Sequence, residues 1–209
     1  MATHKTSRLL AALVPALAAA AIAQAELIDF EGLAFGTPLD GLTIGDATFT
    51  APTIGGGNWA TPTVVADPTN YLFINGNYII GPGDEGNLLT VDFASPMTDV
   101  AFGFGGGTVS FATITATVTG YDAGGSSLGT LTFTNDIQTI DPTQPGSPFI
   151  FEGLADLSSF GAISSFDVSF SGYQLYKFDS LAYTAIPAPG ALAILGVAGL
   201  AGSRRRRSA

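Results

Sequence analysis

The sequence contains no cysteine, which excludes a thiolate nucleophile, a disulfide framework and a cysteine-based zinc site. Its only histidine is His4, close to the start of the chain. We therefore expect neither a histidine general base nor a histidine metal site in the folded body. Charged residues are also scarce, at 11% of the chain, and sustained helical periodicity is lacking in its central part.

Basic residues are few and lie mostly at the two ends. All 17 acidic residues fall between Glu26 and Asp179, whereas Lys177 is the only Lys or Arg between Glu26 and Ser203. Nucleic-acid binding needs clustered Lys and Arg, so we expect no nucleic-acid partner. A body of this charge also repels anionic polymers unless cations bridge the two.

The N-terminus has the three parts of a secretory signal peptide. Lys5 and Arg8 precede an apolar run over 9–22, and Ala23 and Ala25 supply small residues at positions −3 and −1 of a cleavage site. The pattern predicts a cut after Ala25 and makes the export machinery a partner. The alternative, an uncleaved anchor helix, is less favoured because the apolar run is short and strand-like sequence follows at once.

The C-terminus carries a second targeting pattern. An uncharged stretch, Ile186–Ser203, is 18 residues long, the low end of what crosses a bilayer. The basic residues after it are Arg204, Arg205, Arg206 and Arg207. Four arginines stop translocation and stay on the cytoplasmic side, which leaves the body outside. A buried helix with a basic end is the alternative, and the glycines of the stretch disfavour it.

This tail resembles the PEP-CTERM sorting signal of exported bacterial proteins. The resemblance rests on Pro187, Ala188 and Pro189, the apolar span and the terminal arginines, although Ala188 stands where the family motif has Glu. It implies recognition by an exosortase-type sorting protease and delivery to the cell surface or extracellular matrix. We thus divide the chain into a signal peptide (1–25), a β-sandwich domain (26–184) and a sorting signal (185–209).

The body has the pattern of an antiparallel β-sandwich. Apolar residues alternate with polar ones over Ser165–Ser171 and over Thr113–Thr119, and the second stretch forms a threonine ladder suited to an exposed sheet face. A turn at Ser95-Pro96 is predicted to separate two further strands, and Gly124-Gly125 another pair. Roughly nine to eleven short strands predict a sandwich, with a jelly roll as its form.

The pentapeptide Phe-Glu-Gly-Leu-Ala occurs twice, at Phe30–Ala34 and at Phe151–Ala155. We expect two similar exits from strand to turn at these places, since the likeness is too short for a duplicated domain. Around them, the order of strands and turns resembles the exported jelly-roll domains that precede such tails, and more loosely the galactose-binding-like carbohydrate modules. The stretches that carry this resemblance include Ile28–Glu31 and Phe178–Tyr183.

The resemblance to the carbohydrate modules implies a structural calcium held by acidic residues of the first and last strands. Glu31 and Asp179 are the candidate ligands, with Asp29 as the alternate. Asp84-Glu85 with Asn87 forms a second oxygen-rich cluster in a glycine-rich loop, and calcium binds such oxygens. The alternative is that these carboxylates are solvated turn residues that keep the protein soluble.

Carbohydrate is the ligand best suited to the aromatic and amide residues. Lectin-type sites stack an exposed ring on a pyranose, and nearby amides bind its hydroxyls. The candidate residues are Trp59 beside Asn58, and Tyr71 and Tyr78 in an asparagine-rich stretch. Packing of Trp59 on the sandwich core is the alternative reading.

These features predict an exported, non-catalytic surface or matrix protein that binds polysaccharide with calcium. A purely structural or adhesive surface protein without a small ligand is the alternative. A glycosidase-type enzyme comes third. Paired carboxylates are the one catalytic set left to such a sequence, but any two of its 17 acids could form such a pair, so their presence discriminates little.

Overall fold

The computed structural model describes residues 23–51, 62–70, 72–82, 88–108, 113–135, 137–140, 149–172 and 175–186. Within these ranges the chain is all-β, every strand pair is antiparallel, and the one helical piece is a short 3₁₀ turn, Ser158–Phe160. The all-β, antiparallel part of the prediction is therefore confirmed. The described part contains no helix long and apolar enough to cross a membrane. The apolar run before Ala23 and the tail from Pro187 onward lie outside the described residues.

The described strands, in chain order, are β1 (Ala25–Ile28), β2 (Thr43–Ile44), β3 (Ala47–Thr50), β4 (Thr63–Asn70), β5 (Asn75–Pro82), β6 (Leu88–Thr108), β7 (Thr115–Tyr121), β8 (Ser127–Thr134), β9 (Ile137–Ile140), β10 (Phe149–Asp156), β11 (Ile163–Ser171) and β12 (Leu175–Ala185). They belong to one compact unit, Ala23–Ile186.

The 21-residue strand β6 links two halves of the sheet. In its first half, Val91 pairs with Phe49 of β3 and Phe166 of β11. In its second half, Phe104 pairs with Gly153 of β10 and Phe178 of β12. The first half is thus ordered β2-β3-β6-β11-β7-β8 and the second β4-β5-β12-β6-β10-β9, with β1 also on β12.

The prediction of a turn at Ser95-Pro96 is wrong, because β6 runs through this dipeptide without a break. The dipeptide lies where β6 exchanges partners, and the register with β11 shifts between the Met97 and Asp92 pairings. Proline has no N–H and would leave a gap in a regular ladder. It is therefore tolerated at a point where the strand changes partners. The chain therefore passes from one half of the sheet to the other as a continuous strand where a turn was expected.

Aromatic side chains from the two halves meet in one core. The ring of Phe102 stacks on Phe166 with 5.5 Å between centroids, and Phe49 lies 6.3 Å from Phe178. These contacts place the halves face to face, as in a β-sandwich. The predicted alternation is confirmed for the buried residues Phe166, Val168 and Phe170 of β11 and Ile114, Ala116 and Val118 around β7.

The two copies of the pentapeptide adopt different conformations. Phe30–Ala34 follows β1 as a turn, and Phe30 has a positive φ of 57°. Phe151–Ala155 lies inside β10, paired with β6, so the expected exit to a turn is wrong for this copy. Tertiary pairing on β6 keeps the second copy extended, and the two copies share their buried phenylalanines instead.

Candidate functional site

The predicted sugar-binding residues fall into two groups. Asn58, Trp59 and Tyr71 lie outside the described residues. Tyr78 is described in β5 and is only 5% exposed. The ammonium of Lys177 lies over its ring, 4.3 Å from the centroid. A ring covered in this way offers little face for stacking on a sugar.

Three carboxylates converge on one short piece of backbone, Leu72–Asn77, which we call the crossing segment. It precedes and enters β5, and it passes over the outer face of the second half of the sheet. A Cβ on Gly103 would overlap the carbonyl oxygen of Phe73, and a Cβ on Gly105 would lie 2.9 Å from Ile74 Cδ1. Gly103 therefore makes room for the crossing segment, whereas a Cβ on Gly105 would first overlap the carbonyl oxygen of Phe151 on β10.

The strand register places acids beside those glycines. Gly105 lies between Glu152 of β10 and Lys177 of β12, and Gly103 has Asp179 of β12 as one neighbour. Directly paired residues of adjacent antiparallel strands point to the same face. Glu152 and Asp179 thus stand on the face that the crossing segment covers, on opposite sides of the glycines.

Glu152 is fully buried and accepts three hydrogen bonds from successive backbone amides. Leu72 N donates to Oε2 at 3.0 Å, and Phe73 N and Ile74 N donate to Oε1 at 3.1 and 3.0 Å. Hydrogen bonds to a charged acceptor are among the stronger ones in proteins. The carboxylate fixes the start of the crossing segment on the sheet.

The predicted calcium ligands bind the rest of the same segment. Asn75 N donates to Asp179 Oδ2 at 2.8 Å, and Asn77 N donates to Glu31 Oε1 at 2.8 Å. Between them, Gly76 has a φ of +61° and a Cβ there would overlap Glu31 Oε1. The structure therefore brings Glu31 and Asp179 to one segment, as ligands of backbone amides.

Asp179 is buried, and its other oxygen, Oδ1, has no hydrogen-bond partner among the described residues. Burial raises the pKa of Asp179 to about 7, hydrogen bonding from Asn75 and from the backbone and hydroxyl of Ser180 opposes this rise, and the charge of Asp29 adds to it. Asp29 is thus close enough to act electrostatically on Asp179. In the described part of the chain, however, no group of three or more Asp, Glu or His side chains is arranged to hold a metal ion.

A calcium ion needs six to eight oxygens. Asp29, Glu31 and Asp179 each use one carboxylate oxygen to accept a backbone amide, and the other oxygen of Asp179 is buried without a hydrogen-bond partner among the described residues. The described residues therefore fit a calcium ion only in part. The second predicted cluster, Asp84-Glu85 with Asn87, lies outside the described residues.

Sequence reasoning missed Glu152 as a site residue, although it makes three of the five carboxylate–amide bonds described above. One signal was available, since Glu152 and Glu31 occupy the same position in the two copies of Phe-Glu-Gly-Leu-Ala. Lys177, the single base of the body, is 7% exposed, so the charge on the described surface is negative.

No protein-family model matches the chain, and no curated protein matches it by sequence. Among solved structures, it is similar to a DUF4465 family protein from Bacteroides caccae, with a TM-score of 0.44 and 10% identity over 79% of this chain and 100% of that one. It is also similar to the K1 cleaved adhesin domain of Lys-gingipain from Porphyromonas gingivalis, with a TM-score of 0.43 and 12% identity over 79% and 99% of the two chains.

A third likeness is to the CBM22-1–GH10 modules of xylanase 10B from Clostridium thermocellum, complexed with xylohexaose. Its TM-score is 0.36 at 12% identity, over 77% of this chain and 28% of that one. All three likenesses are too distant to carry a function or a site residue to this chain.

The outer face of the first half of the sheet is lined by small hydroxyl side chains. Between β7 and β8, threonine faces threonine in three successive pairs, which are Thr115 with Thr134, Thr117 with Thr132, and Thr119 with Thr130. The hydroxyls of the last pair lie 3.0 Å apart. On the neighbouring strand β11, Asp167 accepts hydrogen bonds from Thr90 Oγ1 at 2.6 Å and from the Tyr121 hydroxyl at 2.9 Å.

Proposed function

We propose that this chain is an exported, non-catalytic surface or matrix module, and that its body is a β-sandwich of the jelly-roll type. The predicted signal peptide and the PEP-CTERM-like tail support export and delivery to the cell surface. For the body, the observation that supports a non-catalytic role is that its central acids bind backbone amides. The carboxylates of Glu31, Glu152 and Asp179 all accept hydrogen bonds from backbone amides of the crossing segment. These acids therefore act in building the fold.

The hydroxyl-lined face supports a polysaccharide as the ligand. Threonine and serine hydroxyls, the Asp167 carboxylate and the Tyr121 hydroxyl are donors and acceptors suited to sugar hydroxyls. Trp59 and Asn58 are the proposed stacking and amide contacts. The negative body makes neutral sugar chains, or anionic ones bridged by cations, the class of polymer to test first.

Calcium enters the proposal at Asp29 and Asp179. These carboxylates would hold the ion together with further oxygens, and the ion would neutralise two like charges placed close together. The contribution of the ion would be to stability, because the same carboxylate of Asp179 holds Asn75 of the crossing segment.

The test is retention of the purified full-length protein on the matrix polysaccharide of its host, with calcium and with EDTA. We expect retention that Trp59→Ala abolishes. Phe35→Ala is the matched control, because Phe35 is an exposed aromatic residue, 71% accessible, outside the proposed contacts. Absence of retention in both buffers, or equal loss for the two variants, would contradict polysaccharide binding through Trp59.

A purely structural surface protein is the second candidate, and one observation favours it. Strand β8 forms an uncharged edge of the described sheet, with the sequence Ser-Leu-Gly-Thr-Leu-Thr-Phe-Thr. An edge of this kind is a template for pairing with another strand.

A further inference from the structure

Strand β8 lacks the features by which proteins usually protect a sheet edge. Within the described residues it pairs only with β7 and ends the sheet order. Its eight residues, Ser127–Thr134, contain no charge and no proline. Its single irregularity, a register shift near Gly129, lies toward its start and leaves Thr130–Thr134 regular. Charges, prolines and bulges are the common ways to block edge-to-edge pairing, and Thr130–Thr134 has none of them.

The direction of the free backbone groups in β8 follows from one hydrogen bond. Asn135, directly after β8, donates its amide to the Ile114 carbonyl at 3.0 Å, on the β7 side. Backbone groups alternate in direction along an antiparallel strand. The amides and carbonyls of Phe133 and Leu131 therefore face β7, and those of Thr130, Thr132 and Thr134 face away from it.

The side chains of β8 alternate in the same register. Thr130, Thr132 and Thr134 are exposed on the hydroxyl-lined face, whereas Leu131 and Phe133 are half-buried and pack against the core. The strand thus has one hydroxyl face and one apolar face, and a row of outward backbone groups at the threonines.

We propose that β8 pairs antiparallel with β8 of a second copy of this chain, about a two-fold axis at Thr132. In this register Thr132 lies opposite the partner's Thr132, and Thr130 lies opposite the partner's Thr134. The outward amides and carbonyls of all three threonines then bond across the axis. The pairing goes beyond the proposed function, because it requires neither the polysaccharide nor calcium.

Both faces of the strand match in this register. On the outer face threonine meets threonine, the same pairing that Thr119 and Thr130 make within the chain at 3.0 Å between hydroxyls. On the inner face Leu131 meets the partner's Phe133, so that each half-buried side chain is covered further. Aromatic–aliphatic and Thr–Thr cross-strand pairs are both stabilising. A strand that complements itself on both faces suits an isologous two-fold contact.

Charge also favours this place for contact between two copies. The body carries 17 acidic residues and one lysine, so two copies repel each other over most orientations. The eight residues of β8 add no like charge of their own at such a contact. The contact should therefore strengthen with salt, which screens the remaining charges.

Cysteine cross-linking tests the register directly, because the chain has no cysteine of its own. In a hydrogen-bonded antiparallel pair the Cα atoms are about 5.5 Å apart, within reach of a disulfide. Mild oxidation of the full-length Thr132→Cys protein should give a covalent dimer on a non-reducing gel.

Thr117→Cys is the matched control. Thr117 pairs with Thr132 on the same face, one strand inward. Two Thr117 positions would be about 15 Å apart across the axis, too far to bridge. Equal dimer in both variants, or dimer in neither, would overturn the proposal.

The oligomeric state of the full-length protein in mild detergent gives a second, non-covalent test. Sedimentation should show a concentration-dependent dimer that tightens with salt. Thr132→Lys, which sets two ammonium groups against each other at the axis, should raise the dimer Kd at least about tenfold, since 1.4 kcal/mol is one decade. Thr117→Lys should leave it unchanged.

A wild-type protein that stays monomeric at all concentrations would overturn the pairing. This holds whether β8 is then covered by a foreign strand or by another segment of the same chain. Equal weakening by both lysine variants would overturn it as well, because it would show a general effect of charge on that face.

Discussion

Glu31 and Glu152, the glutamates of the two Phe-Glu-Gly-Leu-Ala copies, accept hydrogen bonds from the two ends of the same crossing segment. Glu31 takes the amide of Asn77, and Glu152 takes the amides of Leu72, Phe73 and Ile74. The phenylalanine before each glutamate is buried in the core. The two copies differ in backbone conformation, and yet each sends its aromatic ring inward and its carboxylate to one piece of backbone.

Glu152→Gln should destabilise the protein more than Glu31→Gln does. A glutamine at 152 keeps one acceptor oxygen but turns an NH₂ group toward backbone amides that also donate, inside a fully buried site. Loss of such charge-assisted bonds costs about 2–4 kcal/mol. Glu31 makes one exposed bond, so its loss should cost under about 1 kcal/mol. Urea titration of both variants measures the difference. Equal midpoints would show that the hydrogen bonds of Glu152 to the crossing segment contribute little to stability.

Gly103→Ala should displace the crossing segment. Its Cβ would overlap the carbonyl oxygen of Phe73, which is backbone and cannot move aside alone. Overpacking of this kind costs about 1–3 kcal/mol. Gly32→Ala is the control, since a Cβ at Gly32 meets nothing within 4 Å. Thermal melts should show a lower Tm for Gly103→Ala alone; unchanged melting of both would mean that the segment lies less tightly on the sheet.

Local patterns predicted the strands but not the crossing segment. The alternation over Ser165–Ser171 is a local property of a half-buried strand, so sequence alone revealed it. At Pro96 the local turn signal was overridden by pairing on both sides of β6. The bond from Leu72 to Glu152 joins residues 80 positions apart, and no periodicity encodes such a contact. Glu31 and Asp179 were predicted as site residues only from the resemblance to known modules, which implied that they bind calcium.

The stability of the protein in EDTA should fall as the pH rises from about 4 to about 7. The pKa of Asp179 is raised from 3.8 to about 7, so the folded state keeps a proton that the unfolded chain releases. The contribution of protonated Asp179 to the free energy of unfolding is complete at the acidic end of this range, and it is lost as the pH passes the folded pKa. Asp179→Asn keeps an oxygen for the amide of Asn75 and carries no charge.

The variant should therefore lack this slope and be more stable than wild type at pH 8, by an amount on the order of a few kcal/mol. If calcium binds at Asp29 and Asp179, its addition should raise the Tm of wild type at pH 8 and not that of the variant. Melting curves across pH measure both effects. A slope shared by wild type and Asp179→Asn would assign it to another group.

The proposed export predicts that the native protein begins at Glu26. In the described structure Glu26 Oε2 accepts a hydrogen bond from the Tyr183 hydroxyl at 2.8 Å, and Glu26 pairs with Tyr183 across β1 and β12. A cut after Ala25 therefore leaves β1 with this anchor on the last strand. Intact-mass analysis of protein purified from its host checks the prediction, and a retained Met1 would contradict the signal peptide.

Replacement of Arg204–Arg207 by serine should release the protein or send it to the wrong place. The four arginines follow an uncharged stretch of the length that spans a bilayer, and moving them across the membrane is unfavourable because each costs roughly 2.5–3.5 kcal/mol at the centre of a span. Replacement by four lysines is the matched control, because the positive-inside rule depends on Lys and Arg alike. Fractionation of cells that express each form should show membrane retention for the lysine form and loss for the serine form. Retention of the serine form would count against the stop-transfer role, and loss of the lysine form would indicate that a protease reads the arginines themselves.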